Sequence, residues 1–140
     1  MALVGLTVVF AAAQVLQPDE PKLNGKERPF WDRPETNHRL AAILKRSCGD
    51  CHSNETNWPW YAKLSPGSWM MARHVAGGRS KLSFNAQTEF SVYERYEILD
   101  AAKSGVMPPA SYLWLHPGAR LKTEDLAVLN DWAEGKLESK

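Results

Sequence analysis

Two cysteines stand three residues apart in this chain, and a histidine follows the second directly: Cys48-Gly49-Asp50-Cys51-His52. No other stretch restricts the fold so severely. Thiols at i and i+3 share one side of a helical turn, and this spacing lets both form thioethers to one porphyrin while the next imidazole ligates its iron. The motif therefore predicts one covalently attached haem c per chain, held by Cys48 and Cys51, with His52 as the proximal ligand.

Three other readings compete. A thioredoxin-like dithiol opens the helix after a strand, whereas the residues before Cys48 have helical periodicity. A zinc site takes four ligands at recognisable spacing, but the chain holds 2 cysteines and no His-x3–5-His pair. A disulfide closed over so tight a loop would be strained.

Around the motif the chain divides into three parts. Residues 1–17 are apolar and uncharged, shorter than the ~20 residues that span a bilayer comfortably. They read as a signal peptide, with Ala11-Ala12-Ala13 as small residues for cleavage, or as an uncleaved membrane anchor, although the basic n-region of a signal is missing. Pro18 and Pro21 argue against a third reading, a core helix of the domain. The expectation is a periplasmic or exported protein, associated with the inner membrane where the segment is retained. Residues 18–35, broken by Pro18, Pro21, Pro29 and Pro34, form a linker or strap that Phe30 and Trp31 hold down. Residues 36–140 form one domain. A net charge of +1 gives no basis for nucleic-acid binding or for strong electrostatic steering by a partner.

Within the domain the periodicity is helical. A first helix, capped by Thr36 or Asn37, runs to Arg46 with Leu40, Ile43 and Leu44 buried. A second starts at Ser65-Pro66 and ends at Gly77-Gly78. A third spans about Gln87 to Ser104, with Val92, Tyr96, Leu99 and Ala102 on one face and Gly105 as its stop. The last is capped by Thr123, buries Leu126, Leu129 and Trp132, and crosses the first. No stretch alternates as a strand would, so the fold class is all-α.

Trp58, Trp60 and Trp69 are candidates to stack on a porphyrin or seal its edge, with ordinary core packing as the rival role. His52 should donate its second ring N–H to a backbone carbonyl near Pro59 or Pro66. For the second axial position the candidate is Met107, whose soft thioether is stiffly presented by Gly105-Val106-Met107-Pro108-Pro109. His74 and an open site are the alternatives, and Met70 and Met71 read as core. Arg79 or Tyr112 could bond a haem propionate, against the rival of ordinary surface contacts.

From Cys48 through Trp58-Pro59-Trp60-Tyr61, Ser65-Pro66-Gly67-Ser68-Trp69 and Gly78-Arg79 to Met107-Pro108-Pro109-Ala110-Ser111-Tyr112, the chain resembles the bacterial haem-binding domain proteins. The resemblance implies a small cytochrome c-like helical fold around one haem, with Cys48 and Cys51 as attachment points, His52 proximal and Met107 distal. It departs at Leu82-Ser83-Phe84-Asn85, where the family often reads Leu-Asn-Phe-Ser, and at His74. Two function classes follow. One is a monohaem electron carrier working with periplasmic or membrane redox partners. The other is a haem-based sensor or peroxide-handling enzyme with an open or displaceable sixth ligand; docking onto a larger redox enzyme is a third possibility.

Overall fold

Residues 2–87 and 89–137 are described by the structure, a computed structural model. They form seven α-helices and three short 3-10 turns, with no strand among the described residues. In chain order the helices are α1 (Ala2–Val15), α2 (His38–Ser47), α3 (Gly49–His52), α4 (Gly67–Lys81), α5 (Val92–Lys103), α6 (Ala110–Leu113) and α7 (Thr123–Ala133). The 3-10 turns are Phe30–Asp32, Trp60–Lys63 and Pro117–Ala119.

Helix α2 is the hub, because it packs on α3, on α7 and on two of the 3-10 turns. Asn37 starts it by accepting the N–H groups of Arg39 and Leu40, which relieves two donors that no helical carbonyl reaches. Thr36 is instead buried, and its hydroxyl donates to the Phe30 carbonyl. The Leu40, Ile43 and Leu44 stripe faces inward as the spacing predicts. It meets Leu129 and Trp132 of α7 in one apolar core. Arg46 pairs with Asp125 across the α2–α7 contact at 2.6 Å.

Aromatic rings tie the strap into that core. Phe30 meets Phe90 edge-on at 5.0 Å, Trp31 meets Phe84 at 5.2 Å, and Phe90 meets Trp132 at 5.6 Å. Such edge and tilted pairs add about 0.5–1.5 kcal/mol each beyond the area they bury.

Several boundaries differ from the sequence expectation, each for a local reason. Helix α4 does not stop at Gly77-Gly78 but runs to Lys81; Gly78 is used for close packing inside it. A Cβ at that position would lie 2.3 Å from the Cys51 carbonyl oxygen, so only glycine lets α4 close on α3. Helix α5 begins at Val92 and not near Gln87, because Ser91 and Glu94 form a reciprocal capping box. Its buried stripe is also shifted. Leu99 is buried, but Val92 and Tyr96 are exposed; Ile98, Leu99 and Ala102 face the core and Arg95 lies over the Trp132 ring. Gly105 does follow the helix at φ +73°, a conformation that L side chains rarely adopt. In α7 the first turn is closed by the Asp125 carboxylate, which accepts the Lys122 N–H at 2.8 Å, and Thr123 is the first helical residue, not the cap.

The two adjacent glycines of α4 provide an internal contrast. Gly78→Ala should lose roughly 2–3 kcal/mol from overpacking against Cys51. Gly77→Ala, where a Cβ meets nothing within 4 Å, should gain up to about 1 kcal/mol from helix propensity. Urea-unfolding midpoints of the two variants check the opposite signs.

Candidate functional site

The chemistry of the motif begins with how α2 ends. Cys48 is both the C-cap of α2 and the N-cap of α3, and its carbonyl accepts the N–H groups of Cys51 and His52 at 3.3 and 3.0 Å. The single turn this closes puts the two free, half-buried thiols on one side. Burial pushes the Cys48 thiol up to about 12, helped by Cys51 and opposed by Arg46. Cys51 is pushed up to about 11, again by burial first and then by Asp50. Both stay protonated at neutral pH, the reverse of the depressed values that make a Cys-x-x-Cys pair a dithiol redox centre.

His52 is gripped from two directions by the segment that follows α4. Its Nδ1 lies 3.0 Å from the Leu82 carbonyl oxygen. A carbonyl can only accept, so Nδ1 carries the proton and Nε2 keeps its lone pair. The His52 carbonyl in turn accepts the Phe84 N–H at 2.9 Å, and the Phe84 ring stands nearly perpendicular to the imidazole at 6.4 Å. Burial lowers the His52 pKa and outweighs the Leu82 carbonyl, which acts the other way. The imidazole is thus neutral and oriented, the form that binds a metal. Its acceptor corrects the expectation of a carbonyl near Pro59 or Pro66. Those prolines lie before and at the start of α4, whereas the carbonyl that meets the imidazole is that of the first residue after α4.

Arg79 is 4% exposed and makes four N–H···O bonds. They go to the carbonyls of Ser53, Pro21 and Lys22 and to the Thr56 hydroxyl, at 2.7–3.1 Å. Its guanidinium therefore ties the strap to the loop that leaves the motif. Asn24 adds to this tie: its backbone N–H donates to the Asn54 side-chain oxygen and its side-chain amide donates to the Arg79 carbonyl. Asn85 accepts from the Asn54 N–H and donates to the Glu27 carbonyl.

Tyr112 is buried and donates its hydroxyl to the Asp50 carboxylate at 2.5 Å. Burial and that bond raise its pKa, so it remains a phenol. Its ring stacks on His116 at 4.2 Å and 11°, and His116 lies 3.5 Å from the Tyr61 hydroxyl. Asp50, Tyr61 and His116 were not foreseen as members of this cluster; the i, i+4 spacing of Tyr112 and His116 was the available signal.

The three tryptophans are dispersed. Trp58 is half-buried and borders a cleft of about 280 Å³ with Gln17, Glu20, Lys63 and Ala72, a cleft that the motif does not line. Trp60 is 75% exposed, and Trp69 donates its ring N–H to the Leu16 carbonyl. Met107 is half-buried in the loop after α5, where its N–H donates to the Ala101 carbonyl at 3.0 Å. His74 is half-buried on α4, while Met71 is fully buried beside Tyr61 and Met70 is exposed.

Removing the Arg79 charge should be costly, since it strands three carbonyls. Arg79→Gln is expected to lose roughly 2–4 kcal/mol, with Arg79→Lys intermediate because a lysine cannot reproduce the planar fork. Thermal unfolding of both variants checks the order.

No curated protein and no solved structure matches the chain significantly. The sequence model described as the haem-binding domain matches residues 8–135. That span takes in α2 to α7, the paired thiols, the oriented imidazole and the Arg79 tie, so the chain belongs to the haem-binding domain family and is a haem-binding protein.

Proposed function

We infer that this protein is a monohaem c-type cytochrome that carries electrons outside the cytoplasm. Cys48 and Cys51 hold the haem through thioethers, His52 is the proximal ligand and Met107 the distal one. The observation that carries this reading is the Nδ1 contact to Leu82, which leaves Nε2 with a free lone pair on the residue that follows the second of two free thiols in sequence. The donor set also suits the group. Among the described residues no cluster of three or more His, Cys, Asp or Glu could hold a bare ion. A single imidazole fits a metal that brings its own equatorial ligands.

Bound haem supplies one-electron chemistry, and the chain sets its terms. The Leu82 carbonyl strengthens the basicity of His52 and fixes the ring plane. Met107 offers a soft sulfur that favours ferrous iron and raises the potential. Its loop is tied at Ala101 on one side, and on the other the Tyr112–Asp50 bond draws the following residues onto the motif. Burial of His52, beside two half-buried cysteines, keeps water away and limits reorganisation when the charge changes. No general base is needed for such a task. The uncharged apolar run of residues 2–15 supports export, with redox partner proteins in the periplasm or membrane.

Two measurements test this. The purified, denatured protein should have a mass equal to polypeptide plus one haem and give the pyridine haemochrome spectrum of a porphyrin with both vinyl groups saturated. A bare polypeptide mass would sink the covalent reading. Oxidised protein should show the weak far-red sulfur-to-iron band, and Met107→Ala should abolish it and open the reduced form to carbon monoxide. Rapid carbon monoxide binding by the unaltered protein would favour a sensor or peroxide-handling role instead.

A further inference from the structure

Helix α1 buries none of its apolar side chains against the rest of the chain. None of its residues is buried, and Leu3, Leu6, Val9 and Val15 are 81%, 70%, 68% and 83% exposed. It carries no charge. Apolar side chains occupy its whole circumference and not one stripe, so a groove on another protein would cover only part of it. A helix apolar all round needs surroundings that are apolar all round.

Its few polar groups are already satisfied without water. The Thr7 hydroxyl folds back onto the Leu3 carbonyl at 2.9 Å, the arrangement that lets a hydroxyl sit in hydrocarbon. Gln14 makes a reciprocal pair with the backbone of Ser65, at 3.0 and 3.4 Å. The Ser65 hydroxyl donates to Ala13 at 2.8 Å, Gln17 donates to that hydroxyl at 3.2 Å, and the Trp69 ring N–H donates to Leu16 at 3.1 Å. The last turn of α1 is therefore fastened to the residues that open α4. A segment destined only for cleavage has no use for such a latch.

We propose that α1 is retained, sits in lipid hydrocarbon, and is latched to the domain through Gln14, Ser65 and Trp69, so that the face bearing Leu64, Trp69 and Met70 rests at the bilayer interface. This rests on the reading of residues 2–15 as an export or anchoring segment and adds a fixed orientation to it. At about 21 Å, from 1.5 Å per residue over the 14 residues of α1, the described helix is shorter than the ~30 Å hydrocarbon layer, and no described helix is long and apolar enough to cross a membrane. Leu64, Trp69 and Met70 are 47%, 52% and 39% exposed and lie where α1 enters the domain. A tryptophan with its N–H bonded and its ring exposed suits the headgroup level. Lys63 and Arg73 stand nearby, but Asp19 and Glu20 do too. Attachment is thus apolar and does not depend on anionic lipid.

The test uses the full chain reconstituted in phosphatidylcholine vesicles. It should float with the vesicles at low and high salt alike, with the mass of residues 2–15 retained. Hydroxyl-radical oxidation of Trp69 and Met70 should fall several-fold on vesicle binding. Tyr93, exposed on α5 and remote from α4, should be oxidised as before. The double variant Gln14→Leu, Ser65→Ala should still float but lose the protection of Trp69 and Met70. Failure to float, or loss of residues 2–15 from the membrane-extracted protein, would overturn the proposal together with the anchor reading. Flotation with Trp69 and Met70 oxidised as in free solution would overturn the latch alone. Unchanged protection in the double variant would do the same. None of these outcomes depends on whether haem is bound.

Discussion

The contact on which the rest of the structure leans is the grip of residues 82–84 on His52. One carbonyl, that of Leu82, fixes which imidazole nitrogen is free, and one N–H, that of Phe84, holds the histidine backbone in place. These partners are far from His52 in sequence, so the grip exists only if α4 has the right length and the right distance from α3. Gly78 sets that distance by admitting the Cys51 carbonyl where a Cβ would otherwise stand. Phe84 then carries the constraint into the core, because its buried ring also meets Trp31 and Phe90. A loosened core would thus be felt at the imidazole.

The strap makes the grip two-sided. Arg79 is a buried cation whose four bonded acceptors are neutral oxygens, three of them carbonyls. Burying a charge is costly unless it is fully hydrogen-bonded. The carbonyl dipoles that converge on it supply that compensation, and they belong to two segments, the strap and the loop after the motif, that the Asn24–Asn54 bonds also join. The same logic applies to Ser83 and Asn85, buried polar residues alternating with Leu82 and Phe84. Ser83 donates to the Asn24 carbonyl and Asn85 bridges Asn54 and Glu27. At these two positions the chain exchanges Asn and Ser relative to the pattern frequent in the family. Since the backbone of residues 82 and 84 performs the work on His52, the side chains at 83 and 85 need only be polar and short enough to reach the strap.

Much of this was legible beforehand. The motif, the stripe of α2, the Leu129 and Trp132 face of α7 and the all-helical class follow from spacing alone, and local spacing is what a helix obeys. The structure departs from local spacing chiefly where a long-range contact decides the matter. Gly77-Gly78 looks like a stop, yet Gly78 answers to a carbonyl on another helix. The Leu82 acceptor carries no sequence signal, because every residue has a carbonyl. Arg79 reads as a propionate partner or a surface contact, and nothing local in the sequence signals its burial among neutral oxygens. The start of α5 is different: Ser91 and Glu94 announce the capping box in the sequence.

Helix α4 connects these contacts. Its opening residues hold the end of α1 through Ser65 and Trp69, its last turn touches the motif through Gly78, and the chain leaving it holds His52 through Leu82. A 15-residue helix is a rod of about 22 Å, stiff on the scale of the site. If α1 lies in lipid, the rod transmits that placement to the imidazole, and the angle between the bilayer and the imidazole is set by hydrogen bonds at the two ends of a stiff helix and not by a flexible tether. Such an arrangement would limit which face of the haem a membrane-bound donor can approach. It would also leave the opposite side, where α5 packs on α7 away from α4, turned toward partners in the aqueous phase.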